Sequence, residues 1–413
     1  MTVERVAVIG GGVIGLTTAY YLRQSGVDVV VLERDRVGSG ASRGNAGEVC
    51  PGECAPLPAP GVVSASLRTL HRRDSALYVR PQPSLALARF LLGFALSSRE
   101  AQFAAGVRAL GELGRDAVDQ YREIAADDVR FAINDRPYLS VHADRVTAEA
   151  SLAEVRRWGG EYAEVPEQVL DQDELAAIEP CINGGVSGYA LAGQIVIDSS
   201  GYVDAMTSRL RGSGTDIREG TRVTAIHPST AGVTLATTRE TVQADAAVLT
   251  SGIWSTALAQ TIGARVPIFP GKGYSFSVPV EPRPEHLIGL NSAHVAVAPL
   301  GDSTRLAGTM EFDRQHDRFD RRRIEAIIAA ARPYLRGVHW ERRSAEWVGP
   351  RPMTANGLPF IGALDRARRL FVAAGHNMLG VTLAPGTGRA VARLITGGDP
   401  GLDLTPFAPP TRH

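Results

Sequence analysis

Val6-Ala7-Val8-Ile9-Gly10-Gly11-Gly12-Val13-Ile14-Gly15 leads through a helical stretch to Ser25-Gly26, and then to Val27-Asp28-Val29-Val30-Val31-Leu32-Glu33. The four apolar residues before the glycines read as a buried parallel strand. Leu16, Ala19, Tyr20 and Leu22-Arg23 recur at helical spacing until Ser25-Gly26 stops the helix. The second apolar run is a second strand, closed by Glu33. The unit is strand, turn, helix, strand, the order of a dinucleotide-binding fold. Gly10, Gly12 and Gly15 supply the tight turn, the close approach to a pyrophosphate and the close helix–strand contact, and Val13 and Ile14 open the helix. The pyrophosphate is expected at the helix N-terminus, where free N–H groups and the dipole favour anions. Glu33, with Arg34 beside it, stands where a carboxylate accepts hydrogen bonds from ribose hydroxyls and repels a 2′-phosphate. Alone, Gly-x-Gly-x-x-Gly is a weak signal; its strand–helix–strand frame and terminal acid make it a dinucleotide site.

The chain of 413 residues is too long for one ordinary core. Hydrophobic residues make up 44% and charged residues 21%, the balance of a globular protein. Lys plus Arg and Asp plus Glu are 44 each, so no charge excess points to nucleic acid or to disorder. The three cysteines, Cys50, Cys54 and Cys181, argue against a disulfide framework and fit a reducing, cytoplasmic setting. MTVERVAVIGGG is no signal peptide. Leu85 to Leu96, broken by Arg89, is too short to span a bilayer. It reads as an amphipathic helix, with peripheral contact to a membrane face or an electron-accepting partner as the alternative. Lys272 is the single lysine beside 43 arginines. An ordinary arginine here therefore needs no special account, whereas the lysine invites one.

Residues 76 to 127 read mostly as helices, for example Ala101 to Ala125, and 144 to 158 and Tyr202 to Arg211 are helical again. Strand-like runs fall at Tyr138 to His142, Arg222 to Ile226, Ala246 to Thr250, Ser275 to Val280, His294 to Ala298 and Thr304 to Gly308. The end reads as strand (Leu370 to Ala373), glycine-rich turn and helix (Thr387 to Ile395). The predicted fold class is α/β: a Rossmann-like cofactor domain assembled from separated segments, with an inserted α+β substrate domain containing an antiparallel sheet. The expected boundaries are 1–75, 143–262 and 348–413 for the first, and 76–142 and 263–347 for the second.

Three later features favour FAD over NAD. Ser39 to Gly47, with Ser42, Asn45, Ala46 and Gly47, is a run of small residues that lets the backbone hug a flat, bulky group. Ala246 to Thr250 ends in a second tight turn, Ser251-Gly252-Ile253-Trp254; Val223 is expected near it. Gly375-His376-Asn377-Met378-Leu379-Gly380, followed by Val381 and Thr382, precedes the last helix. A helix N-terminus there would stabilise negative charge on a reduced flavin. No metal is expected, because Cys50 and Cys54 stand four apart with no second pair.

With these motifs in this order, the chain resembles the D-amino-acid oxidase superfamily of flavoproteins, most of all its bacterial D-amino acid dehydrogenase small-subunit branch. The resemblance spans nearly the whole length. It rests on the N-terminal fingerprint, Gly44-Asn45-Ala46-Gly47 with Pro51-Gly52 and Ala55-Pro56, Lys272-Gly273-Tyr274-Ser275, Arg351-Pro352-Met353-Thr354-Ala355-Asn356-Gly357-Leu358-Pro359, and Gly375 through Gly388. It implies that Arg351 clamps the substrate carboxylate, a task suited to a planar guanidinium. Tyr274, and more weakly Tyr202, are candidates to line the substrate pocket. Lys272 is a candidate contact to substrate or reduced flavin, against a plain loop lysine. His376 is a candidate base, against a role in shaping the flavin turn. Trp347 to Pro350 lacks the cysteine that precedes this region in covalent flavoenzymes, so non-covalent FAD is expected. Leu306-Ala307-Gly308 lacks the lysine of sarcosine-oxidising relatives, which leans toward a dehydrogenase.

The expected reaction is therefore oxidative deamination of a small amino acid, D-configured, with a proline-like substrate among the options. Hydride passes to the flavin and electrons leave to a quinone or carrier, or to oxygen. The rival readings are a sarcosine- or glycine-type amine oxidase, a non-catalytic FAD-binding subunit or sensor, and an NAD-dependent dehydrogenase.

Overall fold

The computed structural model describes residues 3–63, 72, 75–313 and 315–410. Part of the first expected segment, between Val63 and Ser75, lies outside the described residues.

The chain opens with β1 (Arg5–Ile9), α1 (Val13–Gln24), β2 (Asp28–Leu32), β3 (Glu48–Val49) and β4 (Leu77–Val79). Next come α2 (Leu85–Ser97), α3 (Glu100–Gly114), α4 (Ala117–Ala126), β5 (Ile133–Asn134), β6 (Tyr138–His142), α5 (Arg145–Trp158) and α6 (Gln172–Ile178). The middle holds β7 (Ser187–Leu191), β8 (Ile195–Ile197), α7 (Ser199–Gly212), β9 (Asp216–Arg218), β10 (Val223–Pro228), β11 (Val233–Thr237), β12 (Thr241–Ala244), β13 (Ala246–Leu249) and α8 (Ser255–Gln260). The last part is β14 (Phe269–Val278), β15 (Ile288–Leu290), β16 (Val295–Leu300), β17 (Ser303–Phe312), α9 (Arg321–Ala331), β18 (Ser344–Met353), β19 (Phe360–Ala363), β20 (Leu370–Ala374) and α10 (Gly380–Thr396).

The first sheet has the order β19-β20-β13-β1-β2-β9, parallel except for β19 at one edge. Its central strands are buried on both faces, and strand periodicity sorts the residues between two cores. Val6, Val8, Val29 and Val31 face a helical layer that includes α1, α7 and α10. Ala7, Ile9, Val30 and Leu32 face the antiparallel meander β10-β11-β12. The second sheet runs β18-β14-β17-β16-β15-β6-β7, with β4 on β17. Tyr274, Phe276 and Leu306 on one of its faces pack against Ile324 and Ile327 of α9 and Leu175 of α6.

The segment boundaries differ from the expected ones. α3 and α4 bring Leu110, Leu113, Tyr121 and Ile124 to the core of the first sheet. In the other direction, β7 pairs with β6 in the second sheet, and α5 packs there through Ala148 and Leu152. A helical apolar face announces that it will be covered, but not by which sheet. The single helix expected over Ala101 to Ala125 is two, divided around Arg115-Asp116. α10 starts at Gly380, seven residues before the expected Thr387, and carries Pro385 inside it. Pro385 has no N–H for the carbonyl of Val381; the Tyr121 hydroxyl donates to that carbonyl instead, at 2.7 Å. α2 is one-sided: Leu87 and Phe90 are buried, whereas Leu85 and Leu92 are 67% and 62% exposed. No helix among the described residues is long and apolar enough to cross a membrane.

Candidate active site

The carboxyl ends of β1, β2, β13 and β20 open into a cavity of about 1680 Å3. Open parallel sheets place ligands at this end. The volume exceeds the roughly 300–1,000 Å3 usual for one small ligand, so a dinucleotide and a substrate fit together.

Gly10 has φ 116°, and a Cβ there would lie 2.9 Å from the Thr250 carbonyl oxygen. Gly15 does not line the cavity; a Cβ on it would lie 1.9 Å from the Gly10 carbonyl oxygen. Its task is to let α1 cross β1 closely. Gly12 caps α1 without a side chain, and the first turn holds no acid. The N-terminal end of α1 is thus open to an anion beside Gly10, Gly12, Val13 and Ile14, with Ser42 Oγ accepting from the Val13 N–H at 2.9 Å.

Glu33 is held at the end of β2 by two backbone donors. Gly11 N–H donates to Oε2 at 2.8 Å and Asp35 N–H donates to Oε1 at 2.9 Å. Arg34 lies over the Trp254 ring, 4.0 Å from its centroid. Val223, Ser251 and Gly252 line the same end, joined by Thr221 and Arg222, which sequence reasoning passed over.

The loop through Ser42, Asn45, Ala46 and Gly47 lines the next part of the cavity. Asn45 folds it, donating to Ala41 and Ser42 carbonyls and accepting from the Gly47 N–H. Gly47, at φ 73°, packs so closely on β8 that a Cβ would lie 2.0 Å from the Ile197 carbonyl oxygen. Across the cavity are Gly375, His376, Asn377, Met378 and Leu379, then Gly380, Val381 and Thr382 of α10. The side chain of Asn377 is occupied internally: Oδ1 accepts from Thr354 N–H at 2.9 Å, and Nδ2 donates to Gly357 and Gly375 carbonyls at 2.9 Å. It ties the Arg351–Gly357 segment to the turn before α10. The first turn of α10 has no acidic residue, so its positive end faces the cavity uncompensated.

Arg351 sits on β18, opposite Gly271 of β14. Its guanidinium lies across Gly273, where a Cβ would meet Nε at 2.3 Å. Nη1 donates to Met378 Sδ at 2.8 Å. Among the described residues no carboxylate lies within 4 Å of it. Burial lowers its pKa to about 10, with Glu48 acting in the opposite direction. The group is a charged donor inside the cavity without a counter-ion.

The other predicted catalytic candidates are placed differently. Tyr274 lines the cavity, but its hydroxyl donates to Glu311 Oε2 at 2.9 Å, and burial followed by Glu311 raises its pKa. Lys272 does not reach the cavity wall. Its Nζ is 2.8 Å from Asp313 and 3.6 Å from Glu311, the same carboxylate that accepts from the Tyr274 hydroxyl. It donates also to the Gln315 and Arg318 carbonyls. The expected contact to substrate or flavin is thereby corrected to a buried ion cluster under the sheet. His376 borders the cavity, yet burial pulls its pKa down to about 3 and Nε2 is 3.1 Å from Thr387 Oγ1. A neutral imidazole of such low basicity shapes the turn and is a poor base. Tyr202 is away from the cavity, its hydroxyl 2.7 Å from Thr17 Oγ1 in the first core.

Sequence reasoning missed Glu48 and Glu53. Both line the cavity, with Cys50 and Tyr138 beside them. Burial raises the Glu48 pKa, and Arg351 lowers it. Burial, then Glu48, raises Glu53 to about 8, against a hydrogen bond from Tyr138. The available signal was two acids spaced five apart in Glu-Val-Cys-Pro-Gly-Glu, directly after Gly47.

A family profile described as FAD dependent oxidoreductase matches residues 5–394. Among similar proteins, a D-amino acid dehydrogenase of Cereibacter sphaeroides (strain ATCC 17029) is 30% identical, over 97% of this chain and 93% of its own. One of Methylobacterium sp. (strain 4-46) is 32% identical, over 98% of each chain. Among solved structures, glycine oxidase from Geobacillus kaustophilus aligns at TM-score 0.73 and 25% identity, over 99% of each chain.

Proposed function

The chain belongs to the DAO family of FAD-dependent oxidoreductases, and on that premise we propose that it oxidises a small D-amino acid to the imino acid, which water then converts to a 2-oxo acid and ammonia. Bound FAD supplies the acceptor for the hydride that leaves the substrate Cα. The cavity suits FAD at each part: the α1 N-terminus for the pyrophosphate, Glu33 for the ribose, the Ser42–Gly47 loop and the α10 N-terminus for the ring system. Trp347 to Pro350 offers no thiol, and burial raises the Cys50 pKa well above that of an ordinary thiol, so the cofactor is held without a covalent link.

The observation that carries the substrate reading is the unpaired guanidinium of Arg351 inside a cofactor-sized cavity. A carboxylate gripped by it on two prongs is fixed in distance and in plane. That grip orients Cα–H, and orientation is a large part of what an enzyme can contribute to such a step. Gly273 allows the guanidinium to lie flat on β14, and Met378 holds one of its nitrogens. The positive end of α10 favours the charge that appears at the acceptor. His376, neutral, takes no proton. Electrons then pass to a quinone, a carrier or oxygen.

Anaerobic mixing of the yellow protein with D- and L-amino acids, sarcosine and glycine tests this. Bleaching of the flavin band is expected with D-amino acids and little with their L-enantiomers. Bleaching confined to sarcosine and glycine would replace the reading by an amine-oxidase one, to which the glycine oxidase likeness lends weight. A protein that no amine bleaches would be a flavin-binding subunit. Glu33→Ala is expected to lower flavin retained through gel filtration by about tenfold, because the two N–H groups it accepts lose their partner and the loop its shape. Full flavin content in that variant would remove Glu33 from the cofactor site.

A further inference from the structure

Glu48 and Glu53 line the cavity together with Arg351, and Glu48 is close enough to Arg351 for each to shift the other's pKa. Glu48 lies on β3, whose backbone is fixed: Thr382 Oγ1 donates to the Glu48 carbonyl at 3.1 Å and Cys50 N–H donates to Thr382 Oγ1 at 3.2 Å. Glu53 ends the 3-10 turn Pro51–Glu53, anchored by Gly52 N–H to Gln194 Oε1 at 3.3 Å. Neither carboxylate has an ion pair within 4 Å among the described residues; Tyr138 lines the cavity with them, its hydroxyl donating to Asn291 Oδ1 at 3.4 Å. Of the other charged cavity residues, Glu33, Arg34 and Arg222 belong to the ribose end. Burial lowers both His376 and His294, which leaves the histidines of this wall neutral.

The carboxyl and guanidinium groups of the cavity away from the ribose end are therefore Arg351, Glu48 and Glu53, and burial and Glu48 keep Glu53 largely protonated at neutral pH while no cation among the described residues pairs with it. An amino acid with a neutral side chain matches Arg351 with its carboxylate and Glu48, the acid that senses Arg351, with its amino group. Glu53 is left over. An acid in a cavity without a counter-charge holds its proton, and a ligand that brings a cation favours the ionised carboxylate and is selected by it. Resting on the amino-acid reading above, we infer that Glu53, with Glu48, selects amino acids whose side chain carries a second cationic group, such as an amine or guanidine.

The test is a matched pair, D-ornithine against its neutral isostere D-norleucine, on the holoenzyme and on Glu53→Gln. In the wild type, kcat/KM for D-ornithine is expected to exceed that for D-norleucine by about tenfold or more, mostly through KM. Glu53→Gln is expected to bring the ratio close to one; a ratio does not depend on how much of the variant folds. A second readout needs no turnover: 5-aminopentanoate should perturb the flavin absorbance bands at lower concentration than hexanoate in the wild type, and lose that advantage in Glu53→Gln. A wild-type ratio of one or less, or a ratio untouched by the substitution, overturns the inference. If neutral D-amino acids bleach the flavin and cationic ones have no advantage, only this inference fails. If neither kind bleaches it, the amino-acid reading fails with it.

Discussion

Arg351→Ala is expected to reduce kcat/KM for the best amino acid by about 2–5 kcal/mol, roughly thirty- to several-thousand-fold, the range for losing one side of a desolvated charge pair. The reason lies in its surroundings. The guanidinium is half-buried in the cavity, bonded to a thioether, and among the described residues has no carboxylate within 4 Å. Removing it leaves the substrate carboxylate in a cavity without a cation there, with the Glu48 carboxyl nearby. Arg351→Lys keeps a charge but not the planar fork, so it should recover only part of the loss. The flat seat on Gly273 gives a second handle, because Gly273→Ala would put a methyl group 2.3 Å from Nε. With the Arg351 pKa lowered to about 10, the guanidinium stays charged at neutral pH, and kcat/KM should fall as pH rises through about 10. Anaerobic rapid-mixing kinetics across a pH series reads all of these. An Arg351→Ala enzyme with wild-type kcat/KM would take this residue out of the site and with it the amino-acid substrate.

Lys272→Met should lose about 3–5 kcal/mol of folding stability, the cost of breaking a buried pair from one side. Lys272 is 1% exposed, and its ammonium is the near cation for Asp313 at 2.8 Å and Glu311 at 3.6 Å. Methionine fills the space and leaves Asp313 without a near cation among the described residues, and Glu311 with Arg323 at 3.9 Å. Burial raises the Glu311 pKa, and Lys272 is the strongest influence lowering it. Without Lys272 that pKa rises further above its unfolded value. A group raised in this way supports the fold at low pH and loses that support as pH rises through the folded pKa. The deficit relative to wild type should therefore narrow on acidification. Urea unfolding at two pH values measures it. Flavin reduction per folded molecule should stay near wild type, since the ammonium lies outside the cavity wall. A stable variant with a slowed reductive half-reaction would return Lys272 to the active site.

The cofactor half of this protein can be read from the order of its residues. Val6 to Glu33 form a strand, turn, helix and strand whose meaning is local, because glycine at positive φ, helical spacing and an acid at a strand end need no distant partner to be recognised. The turn before α10 was legible for the same reason. Tertiary structure alone decided which sheet each middle helix covers, and α3 and α4 went to the first core against expectation. It alone brought Asp313 and Glu311 to Lys272, so that the ammonium is paired inside the protein and stays off the cavity wall. It also brought Glu48 and Glu53, some 300 residues from Arg351 in the chain, into one cavity with that guanidinium. Local rules follow from backbone stereochemistry, which each residue carries with it. The charge balance of a site belongs to groups that meet only after the chain has folded, and there burial sets what each charge costs.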